Sequence, residues 1–262
     1  MKLNYMKTVY GPVSSWRLGK SLGIDLICSK EKICSFDCNY CQLGKNSNKT
    51  KIRKNFIQIE KMKKDLSKAL KITKPDVITF SGTGETTLAM NIDKAIDTIR
   101  RITDLPLAIL TNSSLMDRGN VRNVLKNLDI VVAKLDASNE KTFQKINQPT
   151  NDIKLNDIID GIKKFKKIFK GKLAIQIMFI SDNIQFVDDI IKIVEDIDPN
   201  EVQINTPLRV CPIKPLTESQ INNIETKFKK KGLNSISVYN SIKPKTNPLD
   251  KMELFYRRRI KK

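Results

Sequence analysis

The sequence predicts an α/β protein built as a curved, partly open (β/α)6 barrel, and three observations carry that expectation. Short β-branched runs alternate with longer amphipathic segments along most of the chain. Runs such as Val77-Ile78-Thr79-Phe80 and Ile130-Val131-Val132 are nearly continuous in apolar residues, as in a parallel sheet covered by helices. The 262 residues, 40% of them apolar, are enough to bury a sizeable core within one domain. A first strand is expected over 21–27, where Leu22, Ile24, Leu26 and Ile27 cluster, and a helix over 59–72. Strands at 76–80, 107–111, 130–135, 173–180 and 201–206 follow, each a short apolar run, with helices at 91–103, 119–127, 155–169, 185–197 and 217–231 between and after them. The helix over 155–169 is the clearest, with Ile158, Ile159, Ile162, Phe165 and Phe169 at helical spacing. Ser237-Val238-Tyr239 offers a late edge strand. Six such units are too few to close an eight-stranded barrel. The expected organisation is an N-terminal extension (1–20), a barrel core (21–216), and a C-terminal segment (217–262) with a helix, the edge strand and a basic tail. No low-complexity linker or tandem repeat divides the chain.

Forty-eight Lys and Arg against 28 Asp and Glu give a formal charge of +20. Such an excess attracts polyanions such as RNA through counterion release, although a chain rich in Lys, Ile and Asn also results from a low-GC genome without functional demand. The densest patches are Lys163, Lys164, Lys166, Lys167, Lys170 and Lys172, and the end of the chain from Arg257 to Lys262. The first set reads as the solvated face of its helix, and aromatic residues are too scarce there for a base-stacking platform. No apolar run approaches the roughly eighteen residues that span a bilayer, and no export signal opens the chain, so a cytoplasmic protein without a membrane partner is expected. Five cysteines, three of them clustered, suit ligands in a reducing compartment better than a disulfide framework.

Those three, Cys34, Cys38 and Cys41, stand at spacings of four and three. Thiolates are soft ligands for iron, and three of them leave one coordination position open to an outside molecule. A structural zinc completed by Cys28 or Cys211 is the alternative. In a (β/α) barrel the loops after the strands gather at one ligand-binding face. There fall the cysteine loop, Ser81-Gly82-Thr83-Gly84-Glu85-Thr86-Thr87-Leu88, Thr111-Asn112-Ser113-Ser114, and the pair Lys134 and Asp136. Gly82 and Gly84 allow backbone to approach a ligand, with a plain turn as the alternative; the ending of a nucleotide P-loop is absent. Asn112 and Ser114 suit hydrogen bonds to a ligand or a cap on the next helix. Gln176, Gln203 and Asn205 are polar residues inside strands, which need partners. Arg17 is placed to meet a carboxylate or phosphate, or to pair with Asp25. With no histidine, a general base is Lys134, a carboxylate, a tyrosine, a cysteine or solvent.

With aromatic Tyr40 just before Cys41, the cysteine motif resembles the signature of the radical S-adenosylmethionine (SAM) superfamily. The lead-in Tyr10-Gly11-Pro12-Val13-Ser14-Ser15-Trp16-Arg17-Leu18-Gly19-Lys20-Ser21-Leu22-Gly23-Ile24-Asp25-Leu26, with Cys41-Gln42-Leu43-Gly44, is similar to the narrower group related to the wyosine tRNA synthetases. The resemblance implies a partial (β/α)6 TIM barrel of the radical SAM type. It implies a [4Fe-4S] cluster on Cys34, Cys38 and Cys41, SAM on the fourth iron, and one-electron cleavage to a 5′-deoxyadenosyl radical that takes a substrate hydrogen. Gly82, Gly84 and Glu85 correspond to the glycine-rich SAM motif, with Thr86 where relatives usually carry proline. Phe36 and Tyr40 would cover the cluster and the adenine side of its loop, Asn112 and Ser114 would bond SAM or substrate, Asp136 would bind the ribose or stand as an ordinary loop carboxylate, and Gln176, Gln203 and Asn205 would read adenine or substrate edges. Wyosine synthetases engage pyruvate through a lysine imine, which makes Lys134 the catalytic candidate, a salt bridge to Asp136 being its simpler role. The family implies a reduced ferredoxin or flavodoxin as electron donor. No second three-cysteine set is present, which weighs against wyosine synthesis itself. The favoured substrate is tRNA; a peptide, protein or small metabolite, and a non-catalytic zinc or iron-sulfur module, are the competing readings.

Overall fold

One eight-stranded sheet in simple chain order organises the computed structural model, which describes residues 6–46 and 49–257. The strands are β1 (Val9–Ser15), β2 (Gly19–Ile24), β3 (Val77–Phe80), β4 (Leu107–Thr111), β5 (Ile130–Lys134), β6 (Lys172–Met178), β7 (Glu201–Asn205) and β8 (Ser235–Ser237). The hairpin β1–β2 is antiparallel and every other pairing is parallel. The helices are α1 (Ile59–Ile72), α2 (Ile92–Arg100), α3 (Gly119–Leu125), α4 (Glu140–Asn147), α5 (Leu155–Lys166), α6 (Val187–Ile197), α7 (Glu218–Lys230) and α8 (Lys251–Arg257). The sheet curls into the partial barrel expected from the alternation, with β1 and β8 as its two edges.

Register sorts the strand residues onto two faces. Leu22, Ile78, Leu107, Ile109, Val131, Ile175, Val202 and Ile204 join one apolar core with α2 residues Ile96 and Ile99, Leu125 of α3, and Ile158 and Ile162 of α5. Their neighbours point inward. Tyr10 pairs with Gly23, Gly23 with Thr79, Lys134 with Gln176, and Gln176 with Gln203. Paired residues in adjacent strands share a face, so the helix-covered surface is aliphatic while the inner surface mixes small and polar residues with Leu110, Ile130, Val132 and Ile236. This division explains why the chain alternates within strands that read as nearly continuous apolar runs.

Three elements lay outside the sequence expectation. Pro12 interrupts β1, whose pairing shifts between Tyr10 and Val13, and proline is tolerated there because the strand is an edge. The helix α4 is two turns long, buries only Thr142, Phe143, Ile146 and Asn147, and starts at Asn139, whose side chain accepts from Thr142 N at 2.9 Å. The helix α8 is seven residues with no strong period. The edge strand forms at 235–237, two residues earlier than expected. On α5 the lysines occupy the outer face: Lys163 pairs with Asp196, and Lys166 with Asp198 at 3.7 Å. Among the described residues no helix is long and apolar enough to cross a membrane. The tail 258–262 lies outside the described residues.

Candidate functional site

The cysteine loop and the glycine loop are stitched together by backbone. Ile33, which precedes Cys34, bridges Gly84 in parallel fashion: Ile33 N donates to Thr83 O at 3.2 Å and Glu85 N to Ile33 O at 2.9 Å. A Cβ on Gly84 would coincide with the Ile33 carbonyl oxygen, and one on Gly82 would run into the Asp25 carboxylate. Both glycines are therefore required by close approach within the protein. Gly84→Ala should cost about 1–3 kcal/mol and lower the melting temperature by ~2–4 °C per kcal/mol, whereas Gly119→Ala, which has ordinary room at its helix start, should be close to neutral. Thermal unfolding of the two variants makes the check.

Amide donors surround the thiols. Cys34 Sγ accepts from Phe36 N and from Asn112 Nδ2, both at 3.4 Å, and Cys38 Sγ accepts from Asn147 Nδ2 at 3.5 Å. Burial, reinforced by Glu85 and Cys38, pushes the Cys34 thiol far up; burial with Cys41 and Asp136 lifts Cys38 to about 11 despite the opposing charge of Lys134. Without a cation to replace their protons, these thiols stay protonated near neutrality. Lys32 lies under the same loop with a side chain only 2% exposed, donating to Asp37 Oδ1 at 2.9 Å and Gly44 O at 3.2 Å. Burial pulls its ammonium pKa down, but Cys41, Asp37, Cys34 and Cys38 together raise it above the ordinary value. Asp37 Oδ1 also accepts from Asn46 N at 2.8 Å, and Asn46 Nδ2 donates to Cys34 O at 2.8 Å. The loop is thus closed around one buried cation.

Beside it lies a second network. Tyr40 OH donates to Asp136 Oδ2, which also accepts from Asn147 Nδ2 at 2.7 Å, while Asp136 Oδ1 accepts from Met178 N at 2.8 Å. Lys134 Nζ donates to Tyr40 OH at 3.0 Å and stands 3.7 Å from Asp136. Burial first, then Asp136 and Cys38, raise the Tyr40 phenol well above its ordinary value. The carboxylate of Asp136 is buried and already takes three internal donors, so a ribose would reach it only by displacing part of this network. Lys134 makes the salt bridge that the sequence offered as its simpler role.

The remaining candidates divide. Asn112 and Ser114 face the cysteine loop: Asn112 Nδ2 donates to Ser35 Oγ at 2.9 Å, and Ser114 Oγ meets Ser35 Oγ at 2.6 Å. Glu85 is buried with both oxygens engaged, Oε1 by Thr87 and Thr111 hydroxyls at 2.6 Å each and Oε2 by Asn112 N at 2.7 Å. It therefore fixes the glycine loop against the end of β4. Phe36 turns into the core against Phe143, with ring centroids 5.5 Å apart. Gln176 is on the inner face beside Lys134, and Asn205 caps β7 with Oδ1 accepting from Thr206 N at 2.9 Å. Cys28 points away, donating to Met6 O at 2.9 Å, whereas Cys211 packs on the patch of Tyr40, Ile146 and Ile180 that Cys38 also touches. The expected Arg17–Asp25 pair is not made. Asp25 binds Arg257 of α8 instead, at 2.6 Å. Sequence reasoning missed Lys32, Asn147, Ser35 and Arg257; the Asn139 cap was a legible signal for the helix that carries Asn147, while Lys32 is one lysine among many.

Comparison with known proteins gives this geometry a context. A UPF0026 protein of Methanocaldococcus jannaschii is 38% identical over 210 residues, covering 78% of this chain and 64% of that protein. A UPF0026 protein of Synechocystis is 37% identical over 221 residues, covering 84% and 83%. This chain thus accounts for a little under two thirds of the first relative and most of the second. Among solved structures, Streptococcus suis SuiB bound to S-adenosylmethionine superposes with a TM-score of 0.65 at 15% identity over 84% of this chain and 50% of that one. TYW1 with a lysine-pyruvate adduct superposes with 0.62 at 14% identity over 80% and 73%. At such identities the likeness is one of fold. The Radical SAM superfamily model matches residues 32–196, a span that opens just before the cysteine loop and runs into α6; covering more than half of the sequence, that match establishes that this chain belongs to the radical SAM superfamily.

Proposed function

We propose that Cys34, Cys38 and Cys41 hold a [4Fe-4S] cluster and that the chain uses it to cleave SAM reductively and modify a substrate, with tRNA as the favoured target. The observation that supports this most is the direct backbone pairing of the cysteine loop with the glycine loop through Ile33 and Gly84, which joins the metal-binding segment to the SAM-binding segment in one rigid unit. The donor set fits a cluster: three soft thiols, amide N–H groups aimed at two of the sulfurs, and a buried lysine to balance thiolate charge.

When bound, the cluster would supply an electron to the sulfonium of SAM and release the 5′-deoxyadenosyl radical. The residues of this chain do the positioning. Asn112 and Asn147 orient Cys34 and Cys38 by hydrogen bonding their sulfurs, and Lys32 offsets the negative charge of the loop. Tyr40, held by Asp136 and Lys134, forms the wall next to Cys41, and the inner face of the sheet receives the substrate. The charge of +20 supports an anionic macromolecule as target, and an acidic ferredoxin or flavodoxin would be attracted by the same field. A polypeptide substrate is the second reading.

Anaerobic reconstitution of the full chain with iron and sulfide, followed by SAM and a strong reductant, should give a brown protein that forms 5′-deoxyadenosine. Adding unmodified tRNA should accelerate it, and tRNA binding should weaken steeply with salt. A colourless protein that leaves SAM intact sinks the proposal, and a rate indifferent to tRNA removes tRNA as substrate.

A further inference from the structure

We propose that the strip leaving the cysteine loop, residues 49–54 together with Met90, is a docking surface for an acidic one-electron carrier protein. This deepens the reading above and rests on it for the need of an electron, though not for the binding itself.

The strip carries charge that the fold leaves uncancelled. Residues 42–58 hold five cations, Lys45, Lys49, Lys51, Arg53 and Lys54, and no Asp or Glu. Among the described residues, only Lys51 of these cations forms an ion pair, with Asp152. Lys49 donates to two carbonyls, Gln148 O at 3.1 Å and Pro149 O at 2.8 Å, and the Lys54 ammonium lies over the Phe56 ring at 5.2 Å. Such contacts place a cation without neutralising it. On α5, by contrast, Lys163 and Lys166 are met by Asp196 and Asp198.

Within this basic stretch stands Ile52, 74% exposed. The backbone holds it there. Thr50 Oγ1 accepts from Ile52 N at 3.1 Å, and Arg53 donates to Thr87 O at 2.8 Å and Ala89 O at 3.1 Å. Lys54 N donates to Leu88 O and Lys54 O accepts from Met90 N, both at 3.0 Å, which brings Met90, 54% exposed, beside the same strip. A surface already fixed by its own fold gives up little freedom when a partner covers it. Aliphatic side chains inside a basic rim suit a protein partner of acidic surface. RNA fits less well, since aliphatic groups do not bind phosphate and the aromatic of the strip, Phe56, is half-buried under Lys54 instead of open to bases.

The location selects the kind of partner. Thr50 N donates to Cys34 O at 3.0 Å, so one hydrogen bond joins the strip to the backbone of the first cysteine. Ile52 is about 7 Å of extended chain beyond it. The strip is also pinned to Leu88 and Ala89, which belong to the core under the helices, so a carrier seated on it leaves the inner face of the sheet open. In the step served, the carrier loses one electron and the metal centre gains it; no bond forms or breaks and no proton moves.

The test is calorimetric titration of the full chain, before and after reconstitution with iron and sulfide, with an acidic ferredoxin and an acidic flavodoxin, both oxidised. At least one should bind, and more weakly as salt rises. Ile52→Glu should weaken that binding by about tenfold or more without lowering the melting temperature, and Lys54→Glu should weaken it as well, which gives a second reading if Ile52→Glu folds poorly. On reconstituted protein, the reduced carrier at subsaturating concentration should reduce Ile52→Glu about tenfold more slowly than wild type, while dithionite, which needs no docking, should reduce both at one rate. Absence of binding by either carrier, wild-type binding in both variants, or an equal slowing with dithionite would overturn the surface. Variants that lose tRNA while keeping the carrier would also overturn it, by assigning the strip to RNA. Dithionite-driven SAM cleavage in a chain that binds neither carrier removes this surface alone; carrier binding through Ile52 in a chain that leaves SAM intact removes the radical chemistry alone.

Discussion

Asp25→Asn should destabilise the protein by about 3 kcal/mol, a drop of ~6–12 °C in melting temperature for a chain of this size. The expectation follows from how many donors one buried carboxylate serves. Asp25 Oδ1 accepts from Ile27 N at 3.0 Å and Cys28 N at 2.8 Å, and Oδ2 accepts from Thr83 N at 3.1 Å, Thr83 Oγ1 at 3.0 Å and Arg257 Nη1 at 2.6 Å. Its side chain is 1% exposed and that of Arg257 7%. An asparagine offers one acceptor and turns an NH2 group toward the other donors, whichever way it is flipped. Among the described residues Arg257 then keeps Glu253 at 2.8 Å, the Lys7 carbonyl and the Tyr10 ring at 4.2 Å. Its charge would be buried with a single anionic partner, and removal of one member of such a pair costs far more than the pair contributes.

A double-mutant cycle separates the charge from the scaffold. Arg257→Gln in the Asp25→Asn background should recover part of the loss, because the stranded cation is gone, while the bonds to Thr83 and the backbone after β2 stay weakened. Asp25→Asn within 1 kcal/mol of wild type by denaturant titration would show that α8 does not lock onto the end of β2 as the structure has it. The location gives the effect a functional side. Thr83 sits between Gly82 and Gly84, so a slack Asp25 loosens the glycine loop that Ile33 couples to Cys34.

The sequence carried the barrel well where period and composition agreed, and failed where a short element draws its stability from tertiary contacts. The limits of α1 (59–72) and β4 (107–111) are as the pattern implied, since apolar spacing alone decides them. The hairpin strand β1 was hidden by Pro12, and α4 and α8 by having two turns or fewer in which to show a period. The site shows the same split. The cysteine motif stood out as a candidate because the metal ligation proposed for it would demand both a residue type and a separation, and the glycines were legible because close approach excludes every other residue. Asp136 and Glu85 were legible as important but not as internally engaged, since nothing in a linear pattern says that Tyr40, Asn147 or Thr111 will donate to them. Arg17 shows the converse: its position suggested Asp25 as partner, and only the fold, by delivering Arg257 from the far end of the chain, gives that carboxylate to another residue.

Lys32→Met should weaken the cysteine loop and, if the proposed cluster sits on Cys34, Cys38 and Cys41, make that cluster harder to reduce. Lys32 is the buried cation of the loop, and its removal leaves Asp37, itself 18% exposed, with Asn46 N as its remaining donor. Breaking such a pair costs about 3 kcal/mol when both groups are buried, and somewhat less here because Asp37 reaches water. The electronic effect has a definite sign. Reduction adds negative charge, which a neighbouring ammonium stabilises, so losing Lys32 shifts the potential downward. At an effective dielectric near 20 a nearby unit charge contributes on the order of 1–2 kcal/mol, or roughly 40–90 mV for one electron. Lys32→Arg keeps the charge and should keep most of the potential while straining the tight pocket beside Gly44. The readout is a redox titration followed by electron paramagnetic resonance on reconstituted protein, with iron content measured alongside, so that a lost cluster and a retuned one are told apart. A Lys32→Met protein with wild-type iron content, potential and melting temperature would mean that the ammonium under the loop has no part in holding or tuning it, and the positive shift that Cys41, Asp37, Cys34 and Cys38 impose on Lys32 would be without consequence for the site.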